Sequence, residues 1–453
     1  MKIWEDRHPV TILGAIITTI SAIAFIAFFV LDLFRAHANP YLGIFFFLVL
    51  PAFFILGLIL IPVGHYFAYR RRLAGRPIAE WPHLDLNSER QRNIVFVILV
   101  LTFVNALIVS LAAYRGIEFM DSVTFCGTVC HEVMQPEYTA YQAGNHARVP
   151  CVGCHIGSGA PWFVKAKLSG TRQVFAVTLN TFSRPIPSPV TDLRPARDTC
   201  EQCHWPEKFS GDVIRVRKEY ASDEKNTEST TTLRVHVGGG SNENPELANG
   251  IHWHMVVSNR IEYKATDDKR QVIPWVKVTD RFGKEKVFQA EGITQEQLQI
   301  PSRIMDCVDC HNRPAHTFAA SAERAVDASI QRGEIAQELP FIRREGIAAL
   351  KASYPNQTAA ADEIAAKIRE FYRANYADVY AGRRQQIERS IAGLQGQFRR
   401  NVFPSMNVNF GTYFNNIGHM DFPGCFRCHD DAHKTSDGTV IKQDCDTCHT
   451  IEQ

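Results

Sequence analysis

Charge of one sign is what this 453-residue sequence lacks: 49 Lys and Arg stand against 47 Asp and Glu. Nucleic-acid-binding chains carry a basic surplus, so no nucleic-acid partner is expected. Compositional bias is missing too. With 45% apolar and 21% charged residues, the chain is neither wholly disordered nor collagen-like. Charge is absent altogether from residues 10–31, 41–63 and 94–114, whereas the chain beyond residue 114 is polar. At 1.5 Å per residue such stretches are long enough to cross a hydrocarbon core. A core helix rarely runs so far without a charged face, and a signal peptide has a shorter apolar region with no second and third behind it. Residues 1–120 are therefore expected to form a membrane anchor of three transmembrane helices, over about 10–33, 41–63 and 94–114.

Arginine is unevenly shared between the loops. Arg70, Arg71, Arg72, Arg76, Arg90 and Arg92 lie between the second and third runs, and only Arg35 lies between the first and second. The positive-inside rule puts the arginine-rich loop in the cytoplasm. The expected place is the bacterial inner membrane, with a cytoplasmic amino terminus and everything after Tyr114 in the periplasm. His37 and His65 fall at opposite ends of their helices, so they cannot grip one intramembrane haem.

None of the 12 cysteines is left over. They form six pairs, each followed at once by His. Five are strict C-x-x-C-H runs: Cys151/Cys154/His155, Cys200/Cys203/His204, Cys307/Cys310/His311, Cys425/Cys428/His429 and Cys445/Cys448/His449. The first pair, Cys126 and Cys130 before His131, has one extra residue between the cysteines, so its spacer has to bulge. C-x-x-C-H is the c-type haem attachment motif: two thiols form thioethers to the porphyrin and the adjacent imidazole binds the iron. Zinc ribbons share the C-x-x-C pair but do not require a His after each, and disulfides leave the same regularity unexplained. Six covalent haem c groups are expected, and thioether attachment outside the cytoplasm agrees with the topology read from the arginines.

Seven further histidines follow Tyr114: His146, His236, His252, His254, His316, His419 and His433. Six bis-histidine irons need six distal ligands, so supply nearly matches demand. Irons filled on both sides carry electrons rather than bind substrate. His316, His419 and His433 have the strongest local context, each within six residues of a motif.

The expected architecture is an α-helical membrane anchor of three transmembrane helices plus a periplasmic multihaem cytochrome c domain, mostly irregular and α with a small β-rich insert. Residues 121–210 would hold haems 1–3, and 211–303, free of cysteine, the β-rich insert, with a hairpin turn at Asp267-Asp268. Residues 304–400 would hold haem 4 and three helices broken at Pro340 and Pro355, and 401–453 haems 5 and 6.

The order of anchor, first motif, Glu132 and Met134, Glu137-Tyr138, His146 and second motif resembles the NapC/NirT/NrfH family of membrane-bound quinol dehydrogenases. The whole layout looks closer still to the three-helix inner-membrane NapC/NirT-type cytochromes of metal-reducing bacteria. The resemblance implies that the Met after the first motif can replace the motif His on the first iron. This chain has one extra residue on either side of His131, so both His131 and Met134 stay candidates. It also implies a quinol site beside the first haem, built from acidic and Lys groups. Glu132 and Glu137, with Lys165 and Lys167 on an amphipathic stretch at 162–168, match those positions. Lysines snorkelling at lipid headgroups are the plainer reading of the last two.

The same place follows from chain length, since few residues separate Tyr114 from Cys126. The first haem is tethered near the outer membrane surface, where menaquinol or ubiquinol can arrive and a carboxylate can accept protons. Electrons would pass to periplasmic cytochromes or a terminal reductase. Two other readings stay open: an electron-transfer subunit of a larger membrane complex without its own quinone site, and a multihaem reductase with one open iron acting on a small oxyanion or hydroxylamine.

Overall fold

The computed structural model describes residues 9–33, 50–74, 85–129, 131–156, 160–190, 195–239, 249–255 and 260–452. The chain forms two compact units, Met1–Val129 and Cys130–Gln453.

The first unit contains helices α1 (Pro9–Leu33), α2 (Leu50–Leu73) and α3 (Glu89–Met120), all long and apolar enough to span a membrane. Residues 41–49 of the second apolar run lie outside the described residues, as do Arg35, His37 and Arg76. Helix α2 runs past residue 63 through Arg70 and Arg71 to Leu73, and α3 already begins at Glu89. Arginine and glutamate are good helix formers, so a helix need not stop where hydrocarbon does. Polar groups inside the spans are satisfied locally: Thr18 Oγ1 donates to Gly14 O at 2.8 Å, and His65 Nδ1 to Ile61 O at 3.0 Å.

Helices α1 and α2 meet backbone to backbone at small residues. A Cβ on Gly14 would stand 2.7 Å from Gly57 O, and one on Gly57 would stand 2.7 Å from Thr18 N. Thr11 and Ser21 are buried in the same seam. Close approach of this kind is how helices associate in lipid, where no hydrophobic drive separates them from the acyl chains. Gly57→Leu is expected to part α1 from α2. A cysteine cross-link engineered across the seam would then form poorly, and undiminished cross-linking would refute this packing.

The second unit opens with α4 (His131–Ala143) and α5 (Ala160–Thr178). Two antiparallel sheets follow. Strands β1 (Asp212–Tyr220) and β2 (Glu228–His236) pair in register over their whole length, and β7 (His449–Glu452) adds to β2 with His449 opposite Val235. Strands β3 (Arg260–Lys264), β4 (Trp275–Thr279), β5 (Glu285–Gln289) and β6 (Arg303–Ile304) form the second sheet, in the order β5-β4-β3-β6. The turn expected at Asp267-Asp268 joins β3 to β4; the Asp267 carboxylate accepts from Gln271 N and Val272 N at 2.8 Å. The β region is thus two sheets rather than one insert, and the first is completed by the carboxy-terminal strand.

Residues 322–401 form helices α6 (Ala322–Gln331), α7 (Ile342–Lys351), α8 (Gln357–Asn375), α9 (Ala377–Gly382) and α10 (Arg384–Asn401). Ser321 and Asn356 cap α6 and α8 with their side chains. Apolar residues at helical spacing, Val326, Leu339, Ile342, Ile364, Ile387 and Leu394, are fully buried in the core between them. Breaks fall at Pro340 and Pro355 as expected, and two more fall at Tyr376 and Arg383, whose backbones leave the helical region. Elsewhere in this unit regular structure is scarce, and several cysteine motifs sit on single turns: Cys151–His155, Cys307–Cys310 and Cys445–Cys448.

Candidate haem-binding site

In a single helical turn, residues three apart lie on one face. A strict motif folded this way presents both thiols side by side, with its His at the end of the turn. The turn at Cys307–Cys310 is held by a capping box: Asp306 accepts from Cys307 N at 2.7 Å, and Asp309 accepts from Asp306 N at 2.7 Å. At the first motif, residues Phe125–Val129 form a π turn. A π turn holds more residues per turn than an α turn, and this is the bulge that the extra residue calls for. Cys130 and the His131 side chain lie outside the described residues. The other eleven cysteines are free of disulfides. Among the described residues no three of His, Cys, Asp and Glu converge as a zinc site would require.

The third motif is folded differently. Its helix, Ala196–Cys200, ends at the first cysteine. Cys203 falls beyond that end and is exposed, with its N–H donating to Cys200 O at 3.1 Å in a tighter turn. Pro206 bars the residue before it from the helical region, and Trp205, just past His204, is accordingly extended, at φ −112° and ψ 98°. Cys203 shares its exposure with Cys154, Cys310, Cys425 and Cys445. Backbone closure still reaches the motif's His, since His204 N donates to Cys200 O at 2.8 Å.

The histidines are arranged in pairs. His155 faces His316 with ring centroids 6.1 Å apart, His204 faces His146 at 6.2 Å, and His311 faces His252 at 6.2 Å. His429 faces His254 at 5.9 Å, and His449 faces His419 at 6.1 Å. Each pair joins one motif histidine to one from elsewhere in the chain. An iron bonded to two imidazoles at about 2 Å each would hold their centroids about 6 Å apart. The residues fit haem c: thiol pairs one turn apart, and two imidazoles spaced for one metal.

The hydrogen bonds fix which nitrogen is free. Nδ1 of His146 donates to Pro314 O at 3.0 Å, that of His252 to Val237 O at 3.0 Å, that of His254 to Ile251 O at 2.9 Å and that of His316 to Glu137 O at 2.9 Å. A carbonyl can only accept, so Nδ1 carries the proton and Nε2 keeps its lone pair, as in metal-binding histidines. Burial pushes the pKa of His155, His252, His254 and His311 below the ordinary imidazole value, and facing histidines add to this at His155, His254 and His311. Neutral imidazole is the ligating form.

Two candidates are not placed this way. His433 is buried with Nδ1 2.8 Å from Asp430 Oδ1 and Nε2 2.6 Å from Ile273 O. Both nitrogens are thus engaged within the protein, and neither is turned to a motif histidine. His236 lies at the end of β2, with Nδ1 2.9 Å from Asp212 Oδ1. Met134 is half-buried on α4.

The acidic candidates on α4 divide. Glu132 is exposed in the first turn. Glu137 is buried, with Oε1 and Oε2 taking Arg313 Nη2 at 3.1 and 2.9 Å and with His316 Nδ1 3.3 Å from Oε2. Five residues along a helix turn the side chain to another face, so the two do not share surroundings. Lys165 is exposed on α5 with its ammonium 5.2 Å from the Trp162 ring centre, and Lys167 is half-buried on the same helix.

Sequence reasoning passes over Arg313 and Asp309. Arg313 lies against the Tyr413 ring at 4.2 Å while holding Glu137. Asp309, inside the fourth motif, accepts from Tyr263 Oη at 2.7 Å, Arg270 Nη1 at 3.0 Å and Arg303 Nε at 3.1 Å. No local signal marks either, because the partners lie far off in sequence.

Residues 88–185 match the model of the N-terminal region of the NapC/NirT cytochrome c family. Over 449 residues the chain is 40% identical to the cytochrome c-type protein ImcH of Geobacter sulfurreducens, a match that covers 98% of this chain and 88% of that protein. No solved structure matches. Membrane-spanning helices, closely spaced thiol pairs and imidazoles paired at iron spacing agree with these relatives, and the chain belongs to the NapC/NirT family of membrane-anchored c-type cytochromes, electron-transfer proteins with covalently bound haem.

Proposed function

We propose that this chain is a hexahaem quinol dehydrogenase of the bacterial inner membrane, with its amino terminus in the cytoplasm and its haem domain in the periplasm. Bound haem supplies one-electron redox chemistry, and the chain supplies ligands, spacing and proton acceptors. The observation that carries the electron-transfer part is the set of five histidine pairs, each of which would supply two imidazoles to the iron of one strict site, an arrangement suited to carrying electrons. The proposed ligand set is His155/His316, His204/His146, His311/His252, His429/His254 and His449/His419, with His131 or Met134 at the first site. His433 and His236 are left out. Cys203 keeps its proposed role as the second thioether of the third site, as exposed as Cys154 and Cys310 are at theirs.

Quinol entry is supported by the end of α3. The helix stops at Met120 and the π turn carrying Cys126 begins at Phe125, so the first attachment site follows the membrane span within a few residues. Glu132 is the proposed proton acceptor, and Lys165 and Lys167 the groups that hold the quinol head. Glu137, already held by Arg313, is assigned to positioning His316 instead. The acceptor would be a periplasmic cytochrome or terminal reductase.

The test is anaerobic mixing of detergent-purified oxidised protein with a reduced menaquinol analogue while the c-haem bands are followed. Fast reduction is expected in the wild type. In Glu132→Gln the rate is expected to fall about 10²-fold, the scale of a lost general base, with haem content unchanged; Lys165→Ala is expected to slow it as well. Wild-type rates in both variants would remove the site. No reduction of the wild type by quinol, in protein that dithionite reduces fully, would instead make the chain a subunit of a larger complex.

A further inference from the structure

We infer that the chain sets its attachment sites in one unbranched row that follows chain order, with the Cys445–His449 site as its far end. The inference rests on the haem-binding part of the proposal above and not on quinol as donor.

Each junction in the row is made by residues of two consecutive sites. Helix α4 begins at His131 of the first motif, and six residues on, about 9 Å along a helix, Glu137 O takes the Nδ1 proton of His316 at the second site. His146, which faces His204 of the third motif, donates to Pro314 O, two residues before His316. The third and fourth motifs are tied to each other: Ala196 N, on the helix that ends at Cys200, donates at 2.7 Å to the Oδ2 of Asp306, the residue before Cys307.

The fourth and fifth sites take their distal ligands, His252 and His254, from one 3-10 turn, Ile251–Met255. Their motifs are also tied: Arg427 Nη2, inside the fifth, donates to Asp309 O, inside the fourth, at 2.7 Å. At the last junction the ring of Phe426, between Cys425 and Cys428, stacks on His419 with centroids 4.1 Å apart and planes 13° apart. His419 is the imidazole that faces His449. The distal ligand of the sixth site thus rests on the fifth motif.

A row has a function that a cluster lacks. Interior sites have two neighbours and end sites one, so an electron entering at the first site has a single way out. The Cys445–His449 site is the place from which an external one-electron acceptor draws.

The test uses the haem-loaded full chain and no quinol. Diffraction at the iron absorption edge from crystals of the wild type should place the irons in an unbranched succession, the Cys445–His449 iron neighbouring only the Cys425–His429 iron. A last iron lying against the second or third, or an iron with three close neighbours, would overturn the inference. In solution, His419→Met and His254→Met are compared by dithionite titration followed by electron paramagnetic resonance. Methionine ligation raises the potential of the substituted site. In a row, His419→Met shifts one other haem and His254→Met shifts two; equal numbers in the two variants would contradict it. Where a variant loses haem, the wild-type iron positions decide.

Discussion

Asp309→Ala is expected to lower the stability of the haem unit by about 3 kcal/mol, the lower end of the cost of removing one partner from a buried ion pair. The side chain of Asp309 is 2% exposed, and its partners Arg270 and Arg303 are 21% and 40% exposed. Their partial access to water is why the lower end applies. Removing the carboxylate leaves two guanidinium groups, the Tyr263 hydroxyl and Asp306 N without their acceptor. Burial, the largest of the causes that push the Tyr263 pKa well above the ordinary phenol value in the wild type, persists in the variant. Asp309→Asn keeps the shape and part of the hydrogen bonding and should lose about half as much. Denaturant unfolding of the detergent-solubilised holoprotein, followed by far-ultraviolet circular dichroism, measures both. Equal midpoints for wild type and Asp309→Ala would show that the hub does not hold the fourth motif in place.

His254→Ala is expected to add one high-spin haem per chain to the oxidised spectrum, because on the proposed ligand set it removes one of the two imidazoles that would hold the iron at the Cys425–His429 site. His433→Ala is expected to add none. It should instead cost about 1–3 kcal/mol through the loss of buried hydrogen bonds to Asp430 and Ile273. The two residues are a matched pair for this purpose: both are histidines close to a partner, and only His254 faces a motif histidine. Optical and electron paramagnetic resonance spectra of the two variants, with unfolding midpoints, separate ligation from packing. A high-spin signal from His433→Ala, or none from His254→Ala, would reverse the assignment.

The attachment motifs are legible in the sequence because two thioethers and a ligand on one porphyrin demand a fixed local spacing. How each motif folds is less legible: Cys203 shares its spacing and its exposure with Cys154 and Cys310, yet it alone of the three lies outside a helical turn. The distal histidines are legible only as a set. Nothing near His316 says that it belongs with His155, or near His252 that it belongs with His311; folding over long separations decides. His433 shows how proximity misleads. It stands four residues after His429, as a ligand would, yet Asp430 and Ile273 O take both its nitrogens. Glu137 misleads in the same way, since its partner Arg313 lies far along the chain. The alternating β stretches and the turn at Asp267 are readable from local pattern. The contributions of β6 and β7 to the sheets are not, because a strand's partner leaves no mark on its own sequence. Pro340 and Pro355 announce their breaks, whereas Tyr376 and Arg383 are ordinary helix residues that end helices for tertiary reasons.

The crossing of ligands between distant segments has a bearing on how the molecule matures. A chain that emerges from its amino-terminal end offers Cys151, Cys154 and His155 early, while His316 comes into reach only after both strands of the first hairpin and all four strands of the second sheet. The second site can be loaded long before it can be closed. In the other four pairs the distal histidine precedes its motif histidine in the chain, as His254 precedes His429 and His419 precedes His449. On the proposed ligand set the second site alone therefore passes through a form with one face open to small molecules, and His316 seals it. Truncation ahead of His316 would leave a protein that is coloured and reactive at that site.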